Sequence, residues 1–324
     1  MTDTATSAST YTCPFCRQAS SGAGTSCPVC GAPVNVQLRT TASGWTELPP
    51  IADMAHIQFG QSSCQIEGKL VPVAEMALAA GDGVYFTHDV LLWQEPGVQL
   101  EPMAFNKPWS RARSGMAVVM MQAAGPGRVA FSHDSPGELI ALPLQPGYAV
   151  DVREHALLVA TSSVAYDWLP TDVWFVTSGG HHEAAPGGGM LRMGMELGGE
   201  RGRDDQPTWH YPVGQYIDRF FARDRPGLVL VQVSGNAYVR ELSAGESILV
   251  KPPALLFKDP MVGMQLHVEY PAAGAKIWQT WTQRYLWLRV WGPGRVGLQS
   301  CYEHVDDPGT DFRDLSPHTD YLWR

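Results

Sequence analysis

Residues 144–159 read LQPGYAVDVREHALLV, and the same grammar occurs twice more, in LAAGDGVYFTHDVLLW (78–93) and LSAGESILVKPPALLF (242–257). The three segments align without gaps on Gly81, Gly147 and Gly245. Each has leucine three residues before the glycine (Leu78, Leu144, Leu242) and a branched aliphatic three after it (Val84, Val150, Ile248). Each has an apolar residue five after it (Phe86, Val152, Val250) and ends in a Leu-Leu pair (Leu91-Leu92, Leu157-Leu158, Leu255-Leu256). Positions three and five share one face of a strand, because side chains alternate with period two. The glycine marks the turn into that strand. The Leu-Leu pair reads as the start of the next strand after a hairpin-like connection, where Pro252 and Pro253 cost no ladder bond. Every match is apolar or glycine, so the repeat is structural and not catalytic.

A second repetition is GPGRV, at residues 125–129 and again at 292–296. The first lies upstream of the second Leu-x-x-Gly element, and VSGNAYVRELSAG holds the related place before the third. Both are expected to be hairpin turns, with glycines supplying positive φ and proline fixing the bend. A phosphate-cradling loop would need a following helix and a lysine-serine ending, and neither stretch has them. Arg128 and Arg295 are read as exposed strand residues.

The bulk composition agrees with many short strands. Of 324 residues, 33 are glycine and 25 proline, too many for a helix-rich chain, while 44% are hydrophobic and supply a sizeable core. The net charge of -9 makes phosphate-backbone binding a poor default, so no nucleic-acid partner is expected. The N-terminus has no basic start or apolar segment, and no run of 18 apolar residues occurs. A cytoplasmic protein is expected, with any membrane contact peripheral.

Four of the six cysteines fall together in CPFCRQASSGAGTSCPVCG. Cys13 and Cys16 form one C-x-x-C pair and Cys27 and Cys30 another, ten residues apart. Two such turns supply the four thiolates of a tetrahedral zinc site. A structural Zn2+ ribbon is therefore expected over residues 11–34, behind a disordered stretch at 1–10. A redox motif or a pair of disulfides are the alternatives, and four thiolates leave no open position for catalysis. Residues 35–50, ending in a double proline, read as a linker. Cys64 and Cys301 read as small buried hydrophobes in strands.

The stretches GQSSCQIEGKLVPVAEMALAAGDGVYF, RARSGMAVVMMQAAGPGRVAFSHDSPGELIALPLQPG and YLWLRVWGPGRVGLQS resemble the AIM24 family, named for altered inheritance of mitochondria. The resemblance covers residues 51–302. It implies an all-β fold like that of the tryptophan RNA-binding attenuator protein, with three similar β units in pseudo-threefold arrangement. It implies no catalytic motif, and fold alone transfers neither tryptophan nor RNA binding. Two features depart from the family pattern: the ribbon, and an insertion-like stretch at about 178–210. The insertion lengthens the glycine spacing from 66 residues to 98.

Other chemistry-bearing groups have bland readings beside sharp ones. His181, His182 and Glu183 lie between glycine-rich flanks; adjacent histidines on a strand point apart, so a shared metal is not expected. His88-Asp89 and His133-Asp134 recur after strand-like text and read as turn chemistry. In IWQTWTQRYLWLRVW, which holds Trp278, Trp281, Trp287 and Trp291, alternation sets Leu286, Leu288 and Val290 against Trp287, Arg289 and Trp291. A core or inter-unit contact is preferred over a partner surface. The tail at 303–324 holds six acids and two arginines and reads as solvated, with HTDYLWR able to dock back.

The reading is a non-catalytic scaffold or adaptor that binds a protein complex or a membrane surface. A ligand or enzyme cleft between β units, lined by His88, His133 or His182, is the alternative. Nucleic-acid binding through the ribbon ranks last, since only Arg17 and Arg39 precede residue 44.

Overall fold

A computed structural model describes residues 11–12, 19–20, 40–103, 120–177, 207–270, 285–302 and 312–323. Their regular structure is β, with two single-turn 3-10 segments at His88–Val90 and Pro252–Ala254. A two-residue pair, β1 (Tyr11–Thr12) with β2 (Ala19–Ser20), precedes β3 (Thr46–Leu48), β4 (His56–Phe59) and β5 (Ser62–Glu67). β5 alternates, with Ser62, Cys64 and Ile66 facing inward.

Three six-stranded units follow. The first comprises β6 (Val73–Leu78), β7 (Gly83–Thr87), β8 (Leu91–Gln94), β9 (Gln99–Pro102), β10 (Met120–Ala124) and β11 (Gly127–Ser132). The second has β12 (Glu138–Leu144), β13 (Ala149–Arg153), β14 (Leu157–Thr161) and β15 (Val164–Pro170). After the added β16 (Phe175–Thr177) and β17 (Thr208–His210) it ends with β18 (Tyr216–Ala222) and β19 (Gly227–Val233). The third comprises β20 (Ala237–Leu242), β21 (Ser247–Val250), β22 (Leu255–Lys258), β23 (Gly263–Tyr270), β24 (Tyr285–Trp291) and β25 (Gly294–Gln299). Two final strands, β26 (Phe312–Leu315) and β27 (Asp320–Trp323), pair with β16 and β23, so the end of the chain docks on the body.

All three units use one antiparallel pairing scheme. The first strand pairs with the sixth, the second with the fifth, the third with the sixth and the fourth with the fifth. The first, third and sixth strands thus share one sheet, and the second, fourth and fifth share another. The aligned glycines carry the turn between first and second strands at φ +87, +84 and +82°. A side chain there would meet nothing within 4 Å, so it is the left-handed backbone that requires glycine.

Sheets continue across units. The third strand of the second unit, β14, pairs with β7 of the first, and β22 of the third unit pairs with β13 of the second. Each third strand also carries a bulge at the second residue of its Leu-Leu pair, where the register against the sixth strand shifts. The bulge turns that leucine away from its own sheet partner.

Two readings of the turns are corrected. GPGRV is a turn, with cis Gly125-Pro126 and Gly292-Pro293 bonds, but not a hairpin. β10 and β11 lie in different sheets, as do β24 and β25, so each GPG turns a corner from one sheet to the other. Backbone from the glycine-anchored turn fills the corner: Gly125 N donates to Asp82 O at 3.1 Å and Gly292 N to Glu246 O at 3.0 Å. The two GPGRV stretches hold the same place in the first and third units, joining fifth strand to sixth; residues 223–226 hold it in the second. The connection before each Leu-Leu pair is also a corner, since second and third strands of one unit are not paired with each other.

The zinc expectation is corrected as well. Zinc needs converging ligands, usually four. Among the described residues no group of three or more His, Cys, Asp or Glu side chains could hold a metal ion. Cys13, Cys16, Cys27 and Cys30, on which the ribbon rested, lie outside the described residues, as do His181, His182, Glu183, Trp278 and Trp281. The described Cys64 and Cys301 are free thiols, the first buried as expected and the second exposed. Among the described residues no helix is long and apolar enough to cross a membrane.

Candidate binding clefts

The ends of the sixth strands converge on one polar cleft of about 650 Å³. His133 follows β11, Gln232 and Ser234 flank the last residue of β19, and Gln299 ends β25 with Cys301 just beyond it, so all three units contribute. The turn between β13 and β14 supplies Arg153, Glu154 and His155. Local hydrogen bonds hold these groups. Gln232 Nε2 donates to Ser135 O at 2.8 Å, Ser234 N donates to Gln299 Oε1 at 3.3 Å, and Arg153 Nη1 donates to Pro253 O. His155, at φ +66°, places Nε2 3.7 Å from Glu154 Oε1. His133 Nδ1 lies 3.4 Å from Asp134 Oδ1, whose side chain is almost fully exposed. Two imidazoles, a carboxylate and several amides can hydrogen-bond a polar molecule.

The cleft gathers one of the three histidines named from sequence. The side chain of His88 is not described, its backbone belonging to the 3-10 corner before β8, and His182 lies outside the described residues. Arg128 and Arg295 are exposed, as expected, and each is fixed by an acid from the fourth-strand corner. Arg128 N donates to Glu95 Oε2 at 2.9 Å, and Arg295 N donates to Asp259 Oδ2 at 2.8 Å.

A second cleft, about 440 Å³, opens at the joint between the first and second units. Tyr85 of β7 and Tyr166 of β15 line it beside Gln122, Ser163, Arg223 and Arg225. Tyr166 Oη donates to Asp218 Oδ1 at 2.7 Å. Tyr85 Oη is buried with no hydrogen-bond partner among the described residues. Burial, then the neighbouring Tyr166 and Asp218, raise the Tyr85 phenol well above its ordinary range.

At the other joint the chain buries charge. Asp151 of β13 accepts from Arg219 Nε at 2.6 Å and from Lys258 Nζ at 2.9 Å. Burial alone would raise the Asp151 carboxyl, but the two cations together hold it below its ordinary value. Neither the Tyr85 pocket nor this trio was named from sequence. The one signal was an acid and a lysine beside apolar neighbours, in AVDVR and LLFK.

The aromatic run divides as the alternation required. Leu288 and Val290 are fully buried, and Leu286 packs against the same cluster. Trp287 and Trp291 are half-buried on the other face. Trp287 Nε1 donates to Glu269 Oε2 at 3.0 Å, and Lys251 Nζ sits 4.7 Å from the Trp287 ring centroid. A freer aromatic patch lies at β16–β17. Trp209 is 52% exposed, with ring centroids 4.8 Å from Trp174 and 6.5 Å from Tyr211.

No curated protein matches the chain. Among solved structures, the chain is similar to protein SPYM3_0169 from Streptococcus pyogenes at 14% identity, covering 74% of this chain and 94% of that one, with a TM-score of 0.48. Residues 64–196 match the family described as mitochondrial biogenesis AIM24.

Proposed function

We propose that the chain is a non-catalytic scaffold or adaptor of the AIM24 type that presents a β body to a protein complex. The family match over residues 64–196 supports a role of this general kind. The observation that carries the reading is the exposed aromatic patch of Trp209 and Tyr211 backed by Trp174. Large rigid aromatics concentrate at protein interfaces, because they bury much area at small entropic cost. The finer architecture is part of the same proposal: three similar β units that repeat one pairing scheme and one joint between successive units.

Isolation of the intact chain from its native cells, beside a Trp209→Ala/Tyr211→Ala variant, tests the role. Partners that co-purify in fixed ratio with the wild type and are lost from the variant support it. Flotation with vesicles tests membrane attachment in the same pair. Turnover of a substrate that depends on His133 and Glu154 would overturn the reading and favour the polar cleft as a reactive site.

A further inference from the structure

The two joints formed inside the chain share one register. At the first, Ala160 of β14 faces Tyr85 of β7; at the second, Lys258 of β22 faces Asp151 of β13. Ala160 and Lys258 each stand 13 residues after the glycine of their unit, and Tyr85 and Asp151 each stand 4 after theirs.

Each joint also passes apolar side chains from the third strand into the core of the unit before. Leu158 and Val159 belong to the core of the first unit, and Leu256 and Phe257 to that of the second. All four are buried. Their equivalents in the first unit are Leu92 and Trp93, which have no preceding unit and are 55% and 40% exposed. At the other end Leu249 of β21, the equivalent of Tyr85 and Asp151, is 38% exposed where those are 3% and 1%. β8 and β21 are edge strands of their sheets among the described residues. One is a third strand without a second strand beside it, and the other is a second strand without a third.

We infer that β8 of one copy pairs antiparallel with β21 of a second copy, as a further instance of the same joint. The shared register sets Gln94 opposite Leu249 and Trp93 opposite Val250. Leu92 and Trp93 then enter the apolar cluster that contains Ile248, Val250, Leu266 and Leu288. An edge bearing apolar residues is a template for strand addition. Two successive joints carry the chain from its first unit to its third without bringing β21 onto β8. One more application of the joint therefore leads to a new copy. The two edges differ, so the contact is heterologous, and each copy offers one of each. The inference rests on register and burial, and stands apart from the adaptor role.

Sedimentation velocity of the intact chain over about a hundredfold range of concentration tests it. The wild type grows in mass with concentration. Leu92→Asp raises the concentration needed by at least about tenfold while the melting temperature holds, since Leu92 is solvent-facing in the single copy. The register is tested by mixing a Gln94→Cys copy with a Leu249→Cys copy, oxidising, and mapping peptides for a 94–249 link between copies. A wild type that stays monomeric overturns the inference. So does association that ignores Leu92→Asp, or a mixture without that link. A chain carrying both cysteines that forms the link within itself at a dilution where nothing associates also overturns it, in favour of closure within the chain.

Discussion

Lys258 Nζ lies 2.9 Å from Asp151 Oδ2 across the joint between the second and third units, and both side chains are buried. Arg219 approaches the other carboxylate oxygen from β18 of the second unit. The joint therefore closes over a charge trio, where the equivalent pair at the other joint is Tyr85 and Ala160. Asp151→Ala leaves Lys258 buried with its charge uncompensated and is expected to cost about 3–5 kcal/mol in urea unfolding. The sign with pH follows from the lowered carboxyl of Asp151. A carboxyl lowered on folding contributes stability that is present above the unfolded value, about 4, and is lost as pH falls through the folded value. The stability gap between wild type and Asp151→Asn is thus constant near neutrality and closes below about pH 4.

The bulged leucines separate sequence from context. Leu158→Ala and Leu256→Ala each empty a buried site in a neighbouring unit and are expected to cost about 2–5 kcal/mol. Leu92→Ala, at the same place in the motif but 55% exposed, changes the stability of the single copy by no more than about 0.5 kcal/mol. Thermal melts at low protein concentration compare the three.

The GPG corners are intolerant for steric reasons. A Cβ on Gly125 would run into the carbonyl oxygens of Leu78 and Ala79, and one on Gly292 into those of Leu242 and Ser243. These are backbone atoms of the adjoining corner and cannot rotate aside. Gly125→Ala and Gly292→Ala are each expected to cost about 3 kcal/mol. Gly147→Ala meets open space and bears only the left-handed backbone at φ +84°, about 1 kcal/mol. Denaturant midpoints give the ranking.

Tyr85→Phe removes a hydroxyl that is buried without a partner among the described residues, so stability at neutral pH is expected to hold or rise by up to about 1 kcal/mol. The folded phenol is raised above its unfolded value. The stability it contributes is full below about pH 10 and falls as pH rises above that value, because the unfolded state then loses its proton first. The wild type accordingly loses stability in alkali that Tyr85→Phe retains, read by thermal melts across that range.

Much of the architecture was legible because it is local. Val84 and Phe86, or Val150 and Val152, share a strand face by alternation alone, and Gly81, Gly147 and Gly245 mark a backbone conformation that few other residues adopt. Cys64 and the Leu288–Val290 face were legible for the same reason. The reading of GPGRV as a hairpin failed because a turn signal reports a change of direction and not which sheet receives the next strand. Nothing near Gly125 says that β11 pairs with Val73–Leu78, some fifty residues earlier, and not with β10.

The clefts and joints were out of reach for a related reason. Asp151 meets Lys258 across 107 residues and Arg219 across 68, and nothing within any of the three strands points to the other two. His133, Gln232 and Gln299 become neighbours only when three sixth strands end at one place. The sequence by itself determined that the chain is β, that one strand-turn motif recurs three times, and where the glycine turn of each copy falls. Only the tertiary structure decided what the repeats do for one another. Leu92, Leu158 and Leu256 are the same letter in the same motif, yet two are core and one is surface. Burial requires a preceding unit to receive the side chain, and the first unit of a row has none.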